Sequence, residues 1–379
     1  MQEQAETVFG GLGGAESSSP SSSPADNLRR RMESARYRIQ HGSLAISLGL
    51  IIRAMHFLFE PGAEKPPFEA IDVLRRRFFR LLDTDLENVE RGYYPRELLF
   101  QFPYRDYAKL LPDALADVPR IVSRRKQGNF SDLPAGIPAD RYPSYYLRNF
   151  HWQTDGWFSD RSASLYDLSV EVLFQGTADI MRRMAIPHVV DAVRAARRAE
   201  GAKAVPRVLD IACGTGRFLH QLHRAIPDAK LYGLDLSPNY VAHAKKLLAD
   251  VPDIALLAEN AENIPLQDSS FDAVTSIYLF HELPKDARRN VVREAFRLLK
   301  PGGRIVIMDA AQPSESPSLQ VFFDAFEWLY HEPYFKSYLC DDLGEMLREQ
   351  GFKDISTSPH MFSKLVVGTK PGSPAELLS

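Results

Sequence analysis

From Arg207 onward, short continuous apolar runs alternate with stretches in which apolar residues recur every three or four positions. Val208, Leu209 and Ile211 form the first run, and residues 217–225 carry the first helical spacing. A short apolar run bounded by turn residues predicts a parallel strand covered on both faces, and the alternation predicts an α/β, doubly wound, mostly parallel sheet. Further strands are predicted at residues 231–235, 254–258, 271–278 and 304–308, with an amphipathic helix over 284–299 stopped by Lys300-Pro301-Gly302-Gly303. Helices at 318–330 and 340–349 then lead to a terminal pair of strands at 354–358 and 362–368.

The first half of the chain follows a different pattern. Residues 27–126 have helical spacing throughout, with Ile51, Met55, Phe57 and Leu58 in one stretch and Val73, Phe78, Phe79, Leu81 and Leu82 in another, broken at 62–67 and at Pro95. Residues 43–59 are the longest apolar run, but Arg53 and His56 interrupt a stretch already short for a span, so a buried helix and no stable membrane insertion are expected. Ahead of it, residues 1–26 are rich in Ser, Gly, Pro and Glu and read as a disordered tail, as do 372–379. Residues 127–200 read as a linker, an aromatic strap and lid helices, the last two helical segments being 170–184 and 186–198, and 201–371 as the catalytic domain. Within the strap, Tyr142, Tyr145, Tyr146, Phe150, Trp152, Trp157 and Phe158 interleave with Asn149, His151, Gln153, Asp155 and Asp160. This segment reads either as packing between domains or as the wall of a pocket, since rings offer apolar area and attract cations.

Bulk properties narrow the partners. With 379 residues and 45% hydrophobic content the chain can bury two domains, and a formal charge of −3 offers no broad attraction to phosphate backbones, so no nucleic acid partner is expected. Two cysteines make neither a disulfide framework nor a thiolate metal site, which suits a reducing cytoplasmic setting without a metal. The N-terminal helices either shield the catalytic domain or pair it into a homodimer.

The first strand turns into its helix through Asp210-Ile-Ala-Cys-Gly-Thr-Gly216. Glycines at such a turn let the backbone approach a ligand, and open α/β sheets bind ligands at the carboxyl ends of their strands. Leu219 holds the place of the third glycine of a nicotinamide-binding turn, which weakens that reading. With Asp235 at the end of the second strand, the D-x-A-C-G-T-G pattern resembles motif I of the class I S-adenosylmethionine-dependent methyltransferases. The segment Ser162-Ala-Ser-Leu-Tyr-Asp167 resembles one found ahead of the cofactor domain in ubiquinone and menaquinone C-methyltransferases.

The resemblance implies a seven-stranded Rossmann-like sheet whose last hairpin is antiparallel, and S-adenosylmethionine as cofactor. It implies that Ala212, Gly214, Thr215 and Gly216 face the methionine portion, with Asp210 beneath them and Tyr166 above. Asp235 can accept from both ribose hydroxyls, with Leu236 next to it; Asn260 and Ala261 meet the adenine, and Tyr278 stands at the fourth strand's tip. Methyl transfer is an in-line displacement that relies chiefly on positioning. A thioether acceptor needs no base; for a hydroxyl or activated carbon, His281 or Glu282 is best placed, His151 less so, and each could equally be structural. Tyr145, Tyr146, Trp152, Trp157, His331 and Tyr334 are the candidate acceptor pocket. The fourth strand ends Tyr278-Leu-Phe-His-Glu282, without the Pro-Pro-Tyr tip of amino-directed nucleic-acid methyltransferases, so a small organic acceptor is expected, its reacting atom open. A non-catalytic cofactor-binding module and a nicotinamide-dependent oxidoreductase are the competing readings.

Overall fold

Alternation of side chains along the strands sorts the core into two layers. Val208, Ala273, Val306, Leu365 and Val367 join one buried cluster, while their neighbours Leu209, Val274, Ile305, Ile307 and Val366 join another. A sheet covered on both faces follows from the two-residue period of the strand. The computed structural model describes residues 24–59 and 67–372.

Three long helices come first: α1 (Pro24–Phe59), α2 (Phe68–Glu90) and α3 (Tyr104–Gln127). The aromatic strap follows as short turns, then α4 (Asp160–Leu173), α5 (Ala178–Arg183) and α6 (Ile186–Glu200). The sheet region runs β1 (Arg207–Ile211), α7 (Arg217–Ala225), β2 (Lys230–Asp235), α8 (Pro238–Leu247), β3 (Ala255–Ala258), β4 (Phe271–Ile277), α9 (Lys285–Leu298) and β5 (Leu299–Ala310). It closes with α10 (Gln320–Tyr330), α11 (Phe335–Leu339), α12 (Leu343–Gln350), β6 (Lys353–His360) and β7 (Ser363–Thr369). The seven strands are ordered β3-β2-β1-β4-β5-β7-β6, parallel except that β7 runs antiparallel to both neighbours. The order reverses between β1 and β4, which is where an open α/β sheet leaves a crevice.

Helix α6 contributes Ile186, Val189, Val190 and Val193 to one layer, with Phe218, Leu219 and Leu222 of α7. On the opposite face lie Val291, Val292, Ala295 and Leu298 of α9 and Leu343, Met346 and Leu347 of α12. The N-terminal helices fasten to the first layer through one fully buried carboxylate. Asp85 of α2 receives Arg183 of α5 at 2.9 and 2.5 Å, the Tyr37 hydroxyl of α1 at 2.5 Å and the Tyr94 hydroxyl at 2.6 Å. Charge-assisted bonds from a guanidinium and two phenols satisfy a group that would be costly to bury alone.

Three expectations change. Residues 43–59 are not a separate buried helix but the second half of the 36-residue α1, and Ile46 and Leu50 are exposed on its outer side. The helix expected over 170–184 breaks between Leu173 and Ala178, because Gly176 sits at φ +79° where a Cβ would run into Leu44 of α1. The tail expected to end at residue 26 gives way to α1 at Pro24; the rest of both tails, apart from Gly372, and most of the 62–67 break lie outside the described residues. Among the described residues no helix is long and apolar enough to cross a membrane.

Candidate active site

The crevice is built from strand ends. After β1 the backbone takes left-handed angles at Ala212 (φ 57°), Gly214 (φ 55°) and Gly216 (φ 81°), and the Cys213 N–H bonds back to the Leu234 carbonyl at 2.9 Å. Such angles are uncommon for a non-glycine residue, and here they fold the chain back over the tip of β2. A Cβ on Gly214 would meet no protein atom, so this glycine opens onto the crevice. The Asp235 carboxylate at the end of β2 accepts the Gly214 N–H at 2.9 Å on one oxygen and the Ser237 N–H at 2.8 Å on the other. A carboxylate has about four acceptor positions, so two remain for a ligand diol. Burial lifts its pKa to about 6, although both backbone bonds favour the charged form.

Aromatic rings make the opposite wall. Trp157, Tyr166 of α4 and Tyr240 of α8 meet edge to face, with centroids 5.5 to 5.6 Å apart. Their backbone supports interlock: the Ser237 hydroxyl donates to the Trp157 carbonyl at 2.6 Å, and the hydroxyls of Tyr240 and Ser162 share a bond at 2.9 Å. Tyr145 and Tyr146 of the strap close one side, Tyr145 donating to Glu262 at 2.6 Å, while Asn260 and Ala261 line the tip of β3. Leu236, Tyr278 and Glu282 complete the lining. Glu282 brings a second carboxylate to a cleft otherwise faced by rings, a setting that suits a cation.

Behind Glu282 lies a buried cluster. Asp309 at the end of β5 accepts the Leu279 and Phe280 N–H groups at 3.1 and 2.7 Å and pairs with His281 Nδ1 at 2.6 Å. The other ring nitrogen, His281 Nε2, faces Glu332 at 3.6 Å and Glu282 at 3.9 Å. His151 Nε2 approaches the same two residues, at 3.2 Å from Glu282 and 3.6 Å from Glu332. Burial opposes the charged form of His281, yet Asp309 and Glu332 outweigh it and hold the pKa near about 10. His151 is likewise raised against its burial, by Glu282 and Glu332. Glu332 is fully buried with neither oxygen hydrogen-bonded, and burial pushes it up to about 7. Among the described residues no group of histidine, cysteine and carboxylate side chains is arranged to hold a metal ion.

A profile described as a methyltransferase domain matches residues 208–303, the span from β1 to the turn inside β5. A demethylmenaquinone methyltransferase of a Geobacillus species is 30% identical over 176 residues, covering 41% of this chain and 74% of that protein. The ubiquinone/menaquinone biosynthesis C-methyltransferase of Desulfotalea psychrophila is 33% identical over 167 residues, covering 43% and 62%. The demethylmenaquinone methyltransferase of Thermotoga maritima is 29% identical over 222 residues, covering 54% and 90%. The chain belongs to the class I S-adenosylmethionine-dependent methyltransferases.

In this methyltransferase the sequence-nominated residues divide by distance from the crevice. Tyr166, Ala212, Gly214, Asp235, Leu236, Asn260, Ala261 and Tyr278 line it, as do Tyr145, Tyr146, Trp157 and Glu282. Asp210 does not: it is buried in the sheet, accepting the Thr275 hydroxyl at 2.6 Å, and its pKa is raised by burial to about 7. Thr215 is turned away too, donating to Asp167 at 2.8 Å, and Gly216 packs against α8. His281 and His151 stand behind Glu282. Trp152 and His331 instead pair with each other, His331 stacking on Phe130 at 5.0 Å, and Tyr334 forms a second layer against Tyr145.

Sequence reasoning passed over Tyr240, Asp309 and Glu332. Tyr240 sits in the first turn of α8, where Ser237 caps the helix, so its proximity to Tyr166 depends on how α4 packs on α8. Asp309 was legible as a strand-end carboxylate like Asp235. Glu332 stands in the same Tyr330–Tyr334 loop from which sequence selected its neighbour His331.

Proposed function

We propose that this methyltransferase moves a methyl group to a small organic acceptor whose reacting atom gives up a proton. S-adenosylmethionine supplies an electrophilic methyl group at a sulfonium centre, and in-line displacement leaves the acceptor with the methyl and the proton to dispose of. The observation that carries the reading is Asp235 at the tip of β2 beside the open backbone of Gly214, with Glu282 lining the same cleft. In this reading Asp235 takes the ribose hydroxyls, Asn260 and Ala261 border the adenine, and Gly214 with Tyr166 encloses the methionine end. Tyr145, Tyr146 and Trp157 then hold a planar acceptor and exclude water.

The base role passes from His281 to Glu282. An imidazole kept protonated by Asp309 has no lone pair for the acceptor's proton, whereas the Glu282 carboxylate reaches the cleft and shares His151 with Glu332. His281 positions the turn and its charge offsets that of the carboxylates. The relatives are named for methylating demethylmenaquinone or for ubiquinone/menaquinone biosynthesis, and a quinol ring is one acceptor that fits the ring-lined wall. Their matches cover only 41 to 54% of this chain, so the acceptor is tested rather than carried over.

The test is transfer of labelled methyl from S-adenosylmethionine to a panel of phenols and quinols, with thioethers as the proton-free control. The reading expects turnover on a protic acceptor, lowered at least about 100-fold by Glu282→Gln, with S-adenosylhomocysteine affinity kept. Transfer to thioethers alone, or full activity in Glu282→Gln, would refute it.

A further inference from the structure

Helix α1 carries apolar residues on two opposite sides. Tyr37, His41, Leu44 and Leu48 recur at helical spacing; Tyr37 and His41 are buried, and Leu44 and Leu48 pack at Gly176. With about 3.6 residues per turn, the row Leu28, Met32, Ile39, Ile46 and Leu50 falls half a turn away. All five of these side chains are between 57% and 68% exposed. An apolar face on one side of a helix is explained by the core it meets, and a second one opposite calls for another apolar surface.

The charges beside that row indicate what the surface is. Between Leu28 and Ala54 there are six arginines and one acidic residue, Glu33. Exposed Arg29 and Arg36 flank the row on one side and exposed Arg31 and Arg53 on the other, although the whole chain is acidic at −3. Glu33 is already engaged by Arg29 and Arg96. A second copy docked along this row would set arginines against arginines if parallel. If antiparallel, it would set them against a half that offers Ser43, Ser47 and Arg53 and no carboxylate. Neither direction is complementary. Arg38 of α1 reaches Asp83 of α2 at 2.8 Å and is already paired.

We propose that the outer face of α1 lies in the headgroup layer of an anionic lipid bilayer, with Leu28, Met32, Ile39, Ile46 and Leu50 at the acyl boundary and the arginines on the lipid phosphates. An apolar strip bordered by arginines is the pattern of a helix that lies in the interface plane. The methyltransferase is then a peripheral membrane protein held by its N-terminal layer, with the sheet domain on the aqueous side.

The experiment is cosedimentation of the full chain with vesicles of phosphatidylcholine containing about 30% phosphatidylglycerol, against pure phosphatidylcholine, in low salt and in about 0.5 M salt. The wild type is expected to sediment with the anionic vesicles, to be released by salt, and to stay in solution with the neutral ones. The double variants Ile39→Asn/Ile46→Asn and Arg31→Gln/Arg53→Gln are each expected to lose about tenfold or more in vesicle partition. Unchanged S-adenosylhomocysteine binding by calorimetry shows that both variants are folded. Failure of the wild type to bind anionic vesicles, or variants that bind as well as it does, would overturn the proposal. So would a lipid-free dimer in sedimentation velocity that the isoleucine double variant dissociates, since the row would then belong to a second copy.

Discussion

Asp235→Asn separates the roles of the β2 carboxylate. Each oxygen already takes one backbone N–H, from Gly214 and from Ser237, and each has one acceptor position left for the ribose diol. An asparagine keeps one oxygen and turns an NH2 toward one of those backbone donors, so one ligand bond is lost and one backbone contact becomes repulsive. Hydrogen bonds to charged groups contribute about 1.5–3 kcal/mol each; the backbone contact is lost in the free and the bound protein alike, so the lost ligand bond sets the effect at about 10-fold to 150-fold in Kd. Titration calorimetry with S-adenosylhomocysteine at pH 7.5 reads this directly. The same side chain sets a pH dependence, because only the ionised form accepts both hydroxyls. With the folded pKa at about 6, wild-type affinity is expected to fall about tenfold per pH unit below that value, while the variant stays flat.

Stability moves in the opposite sense. The folded pKa lies above the ordinary value, so folding favours the protonated acid; the cost of ionising it is absent below about pH 4 and complete above about pH 6. A shift of about 2 units corresponds to about 3 kcal/mol. Ligand-free Asp235→Asn is therefore expected to gain on the wild type by about that much between pH 4 and pH 7, read from urea midpoints. A Kd within about threefold of wild type, or wild-type affinity that does not change between pH 5 and pH 8, would refute the ribose role.

Two further outcomes concern the buried carboxylates. Asp309→Asn removes the partner that keeps His281 charged and weakens the caps on Leu279 and Phe280, at a cost of about 3–5 kcal/mol. The His281 pKa is raised, so its contribution is full below about pH 6.5 and lost as pH climbs to about 10; a denaturation series whose wild-type advantage does not shrink over that window would contradict the pairing. Arg183→Met leaves Asp85 buried with only two phenol donors and is expected to lower unfolding free energy by about 3–5 kcal/mol; near wild-type stability in urea would show that the carboxylate is not the anchor of the N-terminal layer.

The sheet was legible because each strand is a short apolar run that ends on a polar residue: Asp235, Tyr278 and Asp309 all mark tips in the sequence itself. Cofactor-side residues on those tips were legible for the same reason. What sequence could not supply was direction in the third dimension. Asp210 and Asp235 both stand in the strand-end pattern, yet the period of two turns Asp210 into the sheet against Thr275, and nothing local separates them. Likewise His331 and Glu332 are adjacent, but only Glu332 points inward, toward His281 and His151. The outer row of α1 was obscured because two apolar stripes on one helix read together as a continuous run, which suggested burial for 43–59. The break at Gly176 was missed since its cause, Leu44, is more than a hundred positions earlier.

Arg77 of α2 donates to the carbonyls of Glu315 and Met361, 238 and 284 positions later, so an early helix finds these partners only after β1 to β5 have been made. Contacts that span so much of the chain close slowly. Asp85 can meet Arg183 well before the sheet is made, whereas the Arg77 contacts wait for the turn between β6 and β7, so α2 rests on a half-finished surface in the nascent chain.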